Sequence, residues 1–273
     1  YTAPQVSLNP YYVQLPQCTI SSNPYGGATG TYGLLNCLAI QYGGVWAVIR
    51  FYYQPGDEGV ILGFNEYLYS GSSSNGGSGT GWLYVGSNGY LYFGDTTSSS
   101  QVQVSFPLTT GWHTVIVGEY FSGGTYYIVA YLDSTSNSKT ATATSLVQLF
   151  GLNGPYPYDY IGTAYVLGWP GLPNGWLFYN GIIAYVAIYP GGASVGSYLA
   201  SKVFSIASQQ ESSVPGYAID YPPDGVEPIV VGAYASTPVG LSILLPSQLG
   251  IINYAVHVAR PVTPLGTGAL TTP

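Results

Sequence analysis

Short runs of Val, Ile, Tyr, Trp and Phe recur about every ten residues through residues 1–190, a spacing typical of successive β-strands. Clusters of Gly, Asn, Ser and Pro separate the runs and mark turns. Asn88-Gly89, between two such runs, is a strong hairpin signal. The pattern predicts an all-β, antiparallel β-sandwich of the jelly-roll type. The clearest strand candidates are Val45–Tyr53, Gly81–Val85, Tyr90–Phe93, Gln101–Phe106, Trp112–Tyr120, Thr125–Leu132, Tyr160–Leu167 and Gly181–Tyr189.

One segment, Ser194 to Gln210, departs from this pattern because its apolar residues follow a helical period. Ser194 is suited to cap the helix at its N-terminus. We therefore expect one short amphipathic helix lying on the sandwich. The residues on its apolar face are Val195, Tyr198, Leu199, Val203 and Ile206.

The prediction divides the chain into a sandwich at residues 1–210 and a Pro-rich, β-rich C-terminal appendage or subunit-linking tail at residues 211–273. Alternating apolar residues in both end segments indicate strands that either pair with neighbouring subunits or fold back on their own sandwich. The candidate inter-subunit residues are Val6 and Leu8 near the N-terminus, and Ile252, Tyr254, Val256 and Val258 in the tail.

Charge is scarce: charged residues make up 5% of the chain, where about 25% is usual. The four basic residues cannot form a surface that neutralises a phosphate backbone, so nucleic acid is excluded as a partner. With so few titratable groups, we expect stability to change little between neutral and strongly acidic pH.

The two cysteines, Cys18 and Cys37, are read as one disulfide, with two free structural thiols as the alternative. Closing this loop stabilises the fold by about 3 kcal/mol in the chain-entropy model. A disulfide indicates an oxidising compartment or a hyperthermophile. We expect a secreted protein whose signal peptide has been removed, with no membrane span.

From residue 45 to residue 205, the order of motifs resembles the laminin-G-like branch of the concanavalin-type jelly rolls. The motifs are Val45-Trp46-Ala47-Val48, Gly59-Val60-Ile61-Leu62-Gly63, Trp82–Val85 with Tyr90–Phe93, Gly111-Trp112-His113-Thr114-Val115, Tyr127–Asp133, and Tyr179–Tyr189 followed by a helix. Ser134 stands where that family usually has Gly, and calcium ligands cannot be assigned. The family includes sugar-binding, adhesive and structural modules, so the resemblance implies a fold and leaves the function open.

Catalytic chemistry has few candidates, and the sequence predicts a protein that is not an enzyme and uses no cofactor. The resemblance gives His113 a structural place in its strand, and Glu119 is read as an isolated acid. No pair of acids shows the spacing of a glycosidase strand motif. A loose acidic group, Asp220, Asp224 and Glu227, is a weak calcium candidate and is otherwise a solvated turn.

Aromatic residues carry the remaining signal, in a segment punctuated by Pro and Gly. Rigid aromatic rings on loops bind sugars or anchor protein partners, although many rings in such a chain fill the core. The candidate ligand-contacting or partner-contacting residues are Tyr156, Tyr158, Trp169 and Trp176.

Two functions fit these observations. The first is an extracellular structural subunit of an extremophile filament or virion surface, archaeal or viral and thermostable. Such a subunit self-assembles with copies of itself by donor-strand exchange. The alternative is a lectin-like adhesion module that binds glycans or a cell-surface protein through its loop aromatics.

Overall fold

A computed structural model describes residues 12–69 and 79–210, together with three later strands at 230–234, 241–244 and 255–258. This part of the chain is an all-β sandwich of two main sheets, which confirms the predicted fold class. All but one of the strand pairings are antiparallel, the exception being a single parallel contact between Val60 and Phe178.

The first sheet has eight strands, numbered along the chain. In spatial order, six of them are β1 (Val13–Gln14), β12 (Tyr158–Ile161), β5 (Gly59–Asn65), β6 (Gly79–Val85), β7 (Tyr90–Thr96) and β8 (Gln101–Pro107). The remaining two are β13 (Thr163–Val166) and β14 (Gly175–Phe178), which form a hairpin beside β5.

The second sheet has six strands. Their spatial order is β11 (Ser138–Ala143), β10 (Thr125–Leu132), β9 (Gly111–Ser122), β4 (Gly44–Tyr53), β15 (Ile182–Pro190) and β16 (Val230–Tyr234). The smaller elements are the hairpins β2 (Gln17–Ile20) with β3 (Gly30–Gly33) and β17 (Leu241–Leu244) with β18 (Ala255–Val258), the helices α1 (Leu34–Tyr42) and α2 (Ala193–Gln210), and a 3-10 helix (Gln148–Phe150).

Strand β4 shows how the sequence builds a three-layer arrangement. Its residues alternate between the two faces of the sheet, and both faces are apolar from Val45 to Ile49. Val45, Ala47, Ile49 and Phe51 join the main core between the sheets. Trp46 and Val48 face outward and are buried under helix α2.

Helix α2 lies where the helical period predicts it, and its apolar residues cover part of the outer face of the six-stranded sheet. The helix rests on Trp46, whose indole N–H donates a hydrogen bond to the carbonyl of Gly192 at 2.9 Å. Gly196 lies directly over the same indole, and a Cβ at that position would come within 2.0 Å of the ring. The missing side chain is therefore what allows the helix to approach the sheet closely.

The prediction of one helix is wrong, because α1 is a second one. Residues 34–40 of α1 are all buried, so the segment has no polar face and shows no amphipathic period in the sequence. The carboxylate of Asp159 accepts a hydrogen bond from the N–H of Leu35 at 2.5 Å, in the first turn of this helix. The predicted disulfide is present: Cys18 in β2 is joined to Cys37 in α1.

Most predicted strands are confirmed, with boundary shifts of at most three residues. The run Tyr160–Leu167 is divided, because Gly162 adopts a positive φ of 89° and separates β12 from β13. The hairpin at Asn88-Gly89 joins β6 to β7 as predicted, with a positive φ at Gly89. Strands β11 and β14 were not predicted, because β11 is rich in Ser, Thr and Ala and β14 is short.

The tail contributes one strand to the sandwich and forms one hairpin. Strand β16 extends the six-stranded sheet at β15, whereas β18, which contains Val256 and Val258, pairs with β17. The other candidate inter-subunit residues, Val6, Leu8, Ile252 and Tyr254, lie outside the described residues. The boundary at residue 210 stays a prediction. Over the part of the chain that is described, no helix has both the length and the apolar character needed to cross a membrane.

Candidate functional site

The aromatic residues selected from the sequence lie mostly inside the molecule. The exposed fractions of Tyr156, Trp169 and Trp176 are 1%, 3% and 8%, and Tyr158 is half-buried. Each of the three buried rings meets another aromatic ring edge-on. The ring pairs are Tyr156 with Phe64, Trp169 with Tyr84, and Trp176 with Tyr160, at centroid distances of 5.5, 5.9 and 5.5 Å.

These contacts show what the three rings do in this structure. Trp169 packs onto the outer face of the eight-stranded sheet, and Trp176 lies in an aromatic cluster with Tyr69, Tyr160 and Tyr165. Trp169 and Trp176 thus pack the hairpin of β13 and β14 against the sheet, whereas Tyr156 belongs to the main core between the sheets. A ligand-binding role for Tyr156, Tyr158, Trp169 and Trp176 stays a prediction.

The edges of the two sheets differ sharply between the two sides of the sandwich. On one side, the edge strands β8 and β11 lie next to each other. Lys139 of β11 extends across this gap: its ammonium group donates a hydrogen bond to the carbonyl of Ser105 and lies 5.0 Å from the centroid of the Phe106 ring. A charged side chain at this position, with Pro107 at the end of β8, is typical of an edge protected against pairing with another strand.

On the opposite side, both edges are completed by strands from the ends of the chain. The N-terminal strand β1 pairs with β12, aligning Val13 with Ile161. Strand β16 pairs with β15, aligning Val231 with Ala187. Whatever occupies these two positions therefore determines whether this side is closed or open to another chain.

A pair of acids lies between the sheets, where the sequence analysis found none. Asp95 of β7 and Glu119 of β9 are fully buried and lie next to each other, so the two carboxyl groups can form a hydrogen bond when one of them is protonated. The N–H groups of Thr96 and Leu149 donate to Asp95 at 2.6 and 2.8 Å, and the indole of Trp82 donates to Glu119 at 3.1 Å. The interpretation of Glu119 as an isolated acid is wrong.

Burial raises the pKa of Asp95 to about 6, although backbone hydrogen bonds act in the opposite direction. Burial and the neighbouring charge of Asp95 raise the pKa of Glu119 well above its usual value. Two acids that share a proton can exchange it with a substrate, but only where the substrate can reach them. Neither side chain has any exposed surface, so the pair has a structural role here.

The alternation of strands β7 and β9 contains the signal that could have identified this pair. Asp95 lies two residues after the buried Phe93, and Glu119 lies two residues after the buried Val117. Side chains two residues apart share a face of a strand, so both acids occupy core positions. Pairing them also requires knowing that β7 and β9 face each other across the core, which no local pattern provides.

His113 is held in the sheet by two acceptors. Its Nδ1 lies 2.6 Å from the carboxylate of Asp133, and its Nε2 lies 2.7 Å from the carbonyl of Thr109. Burial alone would lower the pKa of His113, but these hydrogen bonds outweigh burial, and the pKa is raised above its usual value. Asp133 also accepts a hydrogen bond from the N–H of Thr114 at 2.8 Å. His113 thus has the structural place that the sequence resemblance implied.

An aromatic surface surrounds Arg50, which lies near the C-terminal end of β4. This end of the strand pairs with the start of β9. The strand register places Arg50 opposite Thr114 and Tyr52 opposite Trp112, on the outer face of the six-stranded sheet. The guanidinium lies 5.5 Å from the centroid of the Trp112 ring, and the Tyr52 and Trp112 rings are 5.4 Å apart. Arg50, Tyr52 and Trp112 are all partly exposed, so solvent reaches this surface.

Metal binding finds no support among the described residues, where no three His, Cys, Asp or Glu side chains converge. The weak calcium candidates Asp220, Asp224 and Glu227 lie outside these residues. The proposed calcium site therefore stays a prediction.

No family model and no curated protein matches the chain. Solved structures similar to it include the mouse laminin α1 chain, domains LG4-5, with 16% identity over 55% of this chain and 37% of that chain, at a TM-score of 0.37. The enzymatically active domain of tailspike protein 2 from bacteriophage CBA120 has 13% identity over 60% and 24% of the two chains, at a TM-score of 0.33. A structure titled "Cell entry of botulinum neurotoxin type C is dependent upon interaction with two ganglioside molecules" has 12% identity over 71% of this chain and 46% of that chain, at a TM-score of 0.35.

The chain spans less than half the length of each of these three proteins. A pair of laminin G domains is thus among the solved structures similar to this chain.

Proposed function

We propose that this protein is an extracellular, non-enzymatic assembly subunit whose strand β16 is exchanged between neighbouring copies. One observation carries the proposal: β16 completes the edge of the sandwich at β15, yet residues 211–229 separate it from the end of α2. A strand joined through a long connection can fill the same edge in its own chain or in a neighbouring one.

The length of the connection permits either arrangement. Nineteen residues, 211–229, span up to about 60 Å when extended. A compact unit of residues 1–210 has a radius of gyration of about 17 Å. The strand can therefore reach the β15 edge of an adjacent copy without any change in the sandwich itself.

Other features of the structure are consistent with this proposal. The disulfide between Cys18 and Cys37 suits an oxidising environment outside the cell. The acidic pair of Asp95 and Glu119 is closed to solvent, and His113 is committed to two structural hydrogen bonds. The arrangement of titratable groups thus favours a structural protein over an enzyme.

Cysteine pairs across the β15–β16 contact distinguish exchange between copies from folding within one copy. Ala187 and Val231 lie opposite each other in register, at a separation suited to a disulfide. Because Cys18 and Cys37 already form a disulfide, the introduced thiols are the only free ones among the residues described. An Ala187→Cys copy is mixed with a Val231→Cys copy before assembly, and the products are separated on a non-reducing gel.

If β16 is exchanged, the mixture of the two single variants should form disulfides between one chain and another. Electron microscopy of the same mixture should show polymers. Replacing Val231→Cys with Gly232→Cys, which points to the other face of the strand, provides the matched control and should give little product. A third sample is a chain that carries both Ala187→Cys and Val231→Cys. If only this double variant reacts, and only within one chain, β16 belongs to its own sandwich and the proposal is wrong.

A lectin-like adhesion module is the second candidate function, and the aromatic surface around Arg50 is the observation that favours it. Partly exposed rings beside a charged group are suited to sugar rings. On this view, the partners are glycans or a glycosylated cell surface.

A further inference from the structure

The charge of Arg50 is uncompensated in this part of the molecule. Among the described residues, the single ion pair is the one between His113 and Asp133, and Arg50 takes no part in it. Asp133 is already committed to His113 and to the N–H of Thr114. The chain as a whole carries a formal net charge of −7, yet no carboxylate among the described residues forms an ion pair with Arg50.

The guanidinium of Arg50 also has hydrogen-bond donors to spare. One N–H group, on Nη1, donates to the hydroxyl of Thr114 at 2.9 Å. The buried Nε has no acceptor among the described residues. A guanidinium carries five N–H donors arranged to meet the two oxygens of a carboxylate. Because Nε is buried, a ligand carboxylate would bind the guanidinium through the N–H groups of its Nη atoms that Thr114 leaves open.

The aromatic neighbours determine what the rest of such a ligand can be. Trp112 and Tyr52 flank the guanidinium and are partly exposed, which gives an uncharged surface on which the C–H face of a sugar ring can lie. The small number of basic residues argues against a highly charged polymer, since binding a polyanion requires many cations. One cation beside two rings fits one carboxylate on an otherwise neutral ring.

We propose that Arg50, Trp112 and Tyr52 form a binding site for the carboxylate of an acidic sugar, such as a uronic acid residue of a glycan. This site gives the lectin-like candidate function a ligand class and does not depend on strand exchange. The carboxylate binds the open N–H groups of Arg50, and the sugar ring lies against the aromatic side chains.

Saturation-transfer difference NMR on the full-length chain tests the site, because it observes the ligand and works for monomers and polymers alike. The probe is methyl glucuronide, and its neutral counterpart is methyl glucoside. We expect saturation transfer to the ring protons of the glucuronide and much less to those of the glucoside. Arg50→Gln should weaken binding about ten- to a hundredfold, as expected for losing hydrogen bonds to a charged group.

Two further variants separate the site from general effects of charge. Arg50→Lys keeps the charge but loses the two-pronged geometry, so it should bind at an intermediate level. Lys202→Gln removes another cation that lies over an aromatic ring, that of Tyr198 at 5.8 Å, and should bind like the unchanged protein. Circular dichroism of each variant checks that the sandwich is folded.

The inference would be overturned by no transfer to the glucuronide, by equal transfer to the glucoside, or by binding retained in a folded Arg50→Gln variant. Displacement of the glucuronide by acetate at equal concentration would also overturn it, because the site would then recognise a carboxylate without the sugar. None of these results changes the outcome of the cysteine cross-linking test, so the two proposals fail separately.

Discussion

At the scale of single residues, the burial of Asp95 and Glu119 next to each other has the clearest physical consequence. Both carboxyl groups lie in the core, and no basic side chain forms an ion pair with either of them in the described part of the chain. Ionising both acids would place two like charges in a medium of low polarity, which is costly. The fold therefore tolerates the protonated pair best.

The pH dependence follows from the direction of these pKa shifts. Both pKa values are higher in the folded state than the usual values of about 4 in an unfolded chain. The folded state therefore binds more protons, and the free energy of unfolding falls as pH rises from about 4 through 6 and beyond. Unfolding by guanidinium chloride at a series of pH values should show the highest stability in acid.

Glu119→Gln tests the assignment, because an amide donates a hydrogen bond to Asp95 but does not ionise. The variant should flatten the loss of stability above pH 6. Glu58→Gln, which removes a partly exposed carboxyl group, is the matched control and should keep the slope. A slope that is the same in both variants would mean that other groups cause it. Composition alone predicts that the free energy of unfolding changes little with pH, whereas the buried acids predict that it is highest in acid.

At the scale of elements, the contact of helix α2 with Trp46 shows how one glycine controls a packing distance. The helix crosses the indole at Gly196, where a Cβ would overlap the ring, whereas Gly192 at the start of the helix faces open space. Both glycines belong to the same short region, so they can be compared directly.

Gly196→Ala should lower the free energy of unfolding by about 1–3 kcal/mol, the usual cost of overpacking a tight contact. Gly192→Ala, where the added methyl group meets nothing, should change it much less. Chemical denaturation followed by tryptophan fluorescence measures both values. Equal effects of the two substitutions would show that the helix can shift away from Trp46 without cost.

The elements also show which parts of the fold the sequence can predict. Strands with long runs of β-branched and aromatic residues, such as β4, β9 and β10, were located within three residues, because turn residues mark both ends of each run. Helix α1 was missed, because a helix buried on every side loses the polar stripe by which helices are recognised.

The candidate site was predicted less well than the fold. Tyr156, Trp169 and Trp176 were selected for their position among turn residues, but composition cannot distinguish a ring that covers a core from one that faces solvent. Arg50 was noted in the sequence only as one of four basic residues. Its neighbours Thr114 and Trp112 come from another strand, so only the sheet register brings the surface together.

At the scale of the whole molecule, the two sides of the sandwich have opposite properties. Lys139 closes the side formed by β8 and β11, whereas strands from the chain ends complete the side formed by β12 and β15. Lys139→Thr should expose the edge of β11 to pairing with other molecules, because a charge on an edge strand is a common protection against such pairing. Light scattering of this variant should show side-by-side association that the unchanged protein lacks.

The matched control is Lys202→Thr, which removes a lysine from helix α2 and leaves every sheet edge as it was. Association of both variants to the same degree would indicate a simple loss of solubility. Association of neither would mean that β11 is protected by its Ser and Thr side chains without Lys139.

The closed side at Lys139 also has a consequence for the thickness of any polymer. If copies join only through the β15 side, each added subunit lengthens a filament that is one subunit wide. Two such single filaments have no matching sheet edges through which to join side by side. The mass per unit length would then be that of a single filament at any protein concentration, and scanning transmission electron microscopy can measure it. A lysine that makes no contact with a partner would in this way fix the width of the whole assembly.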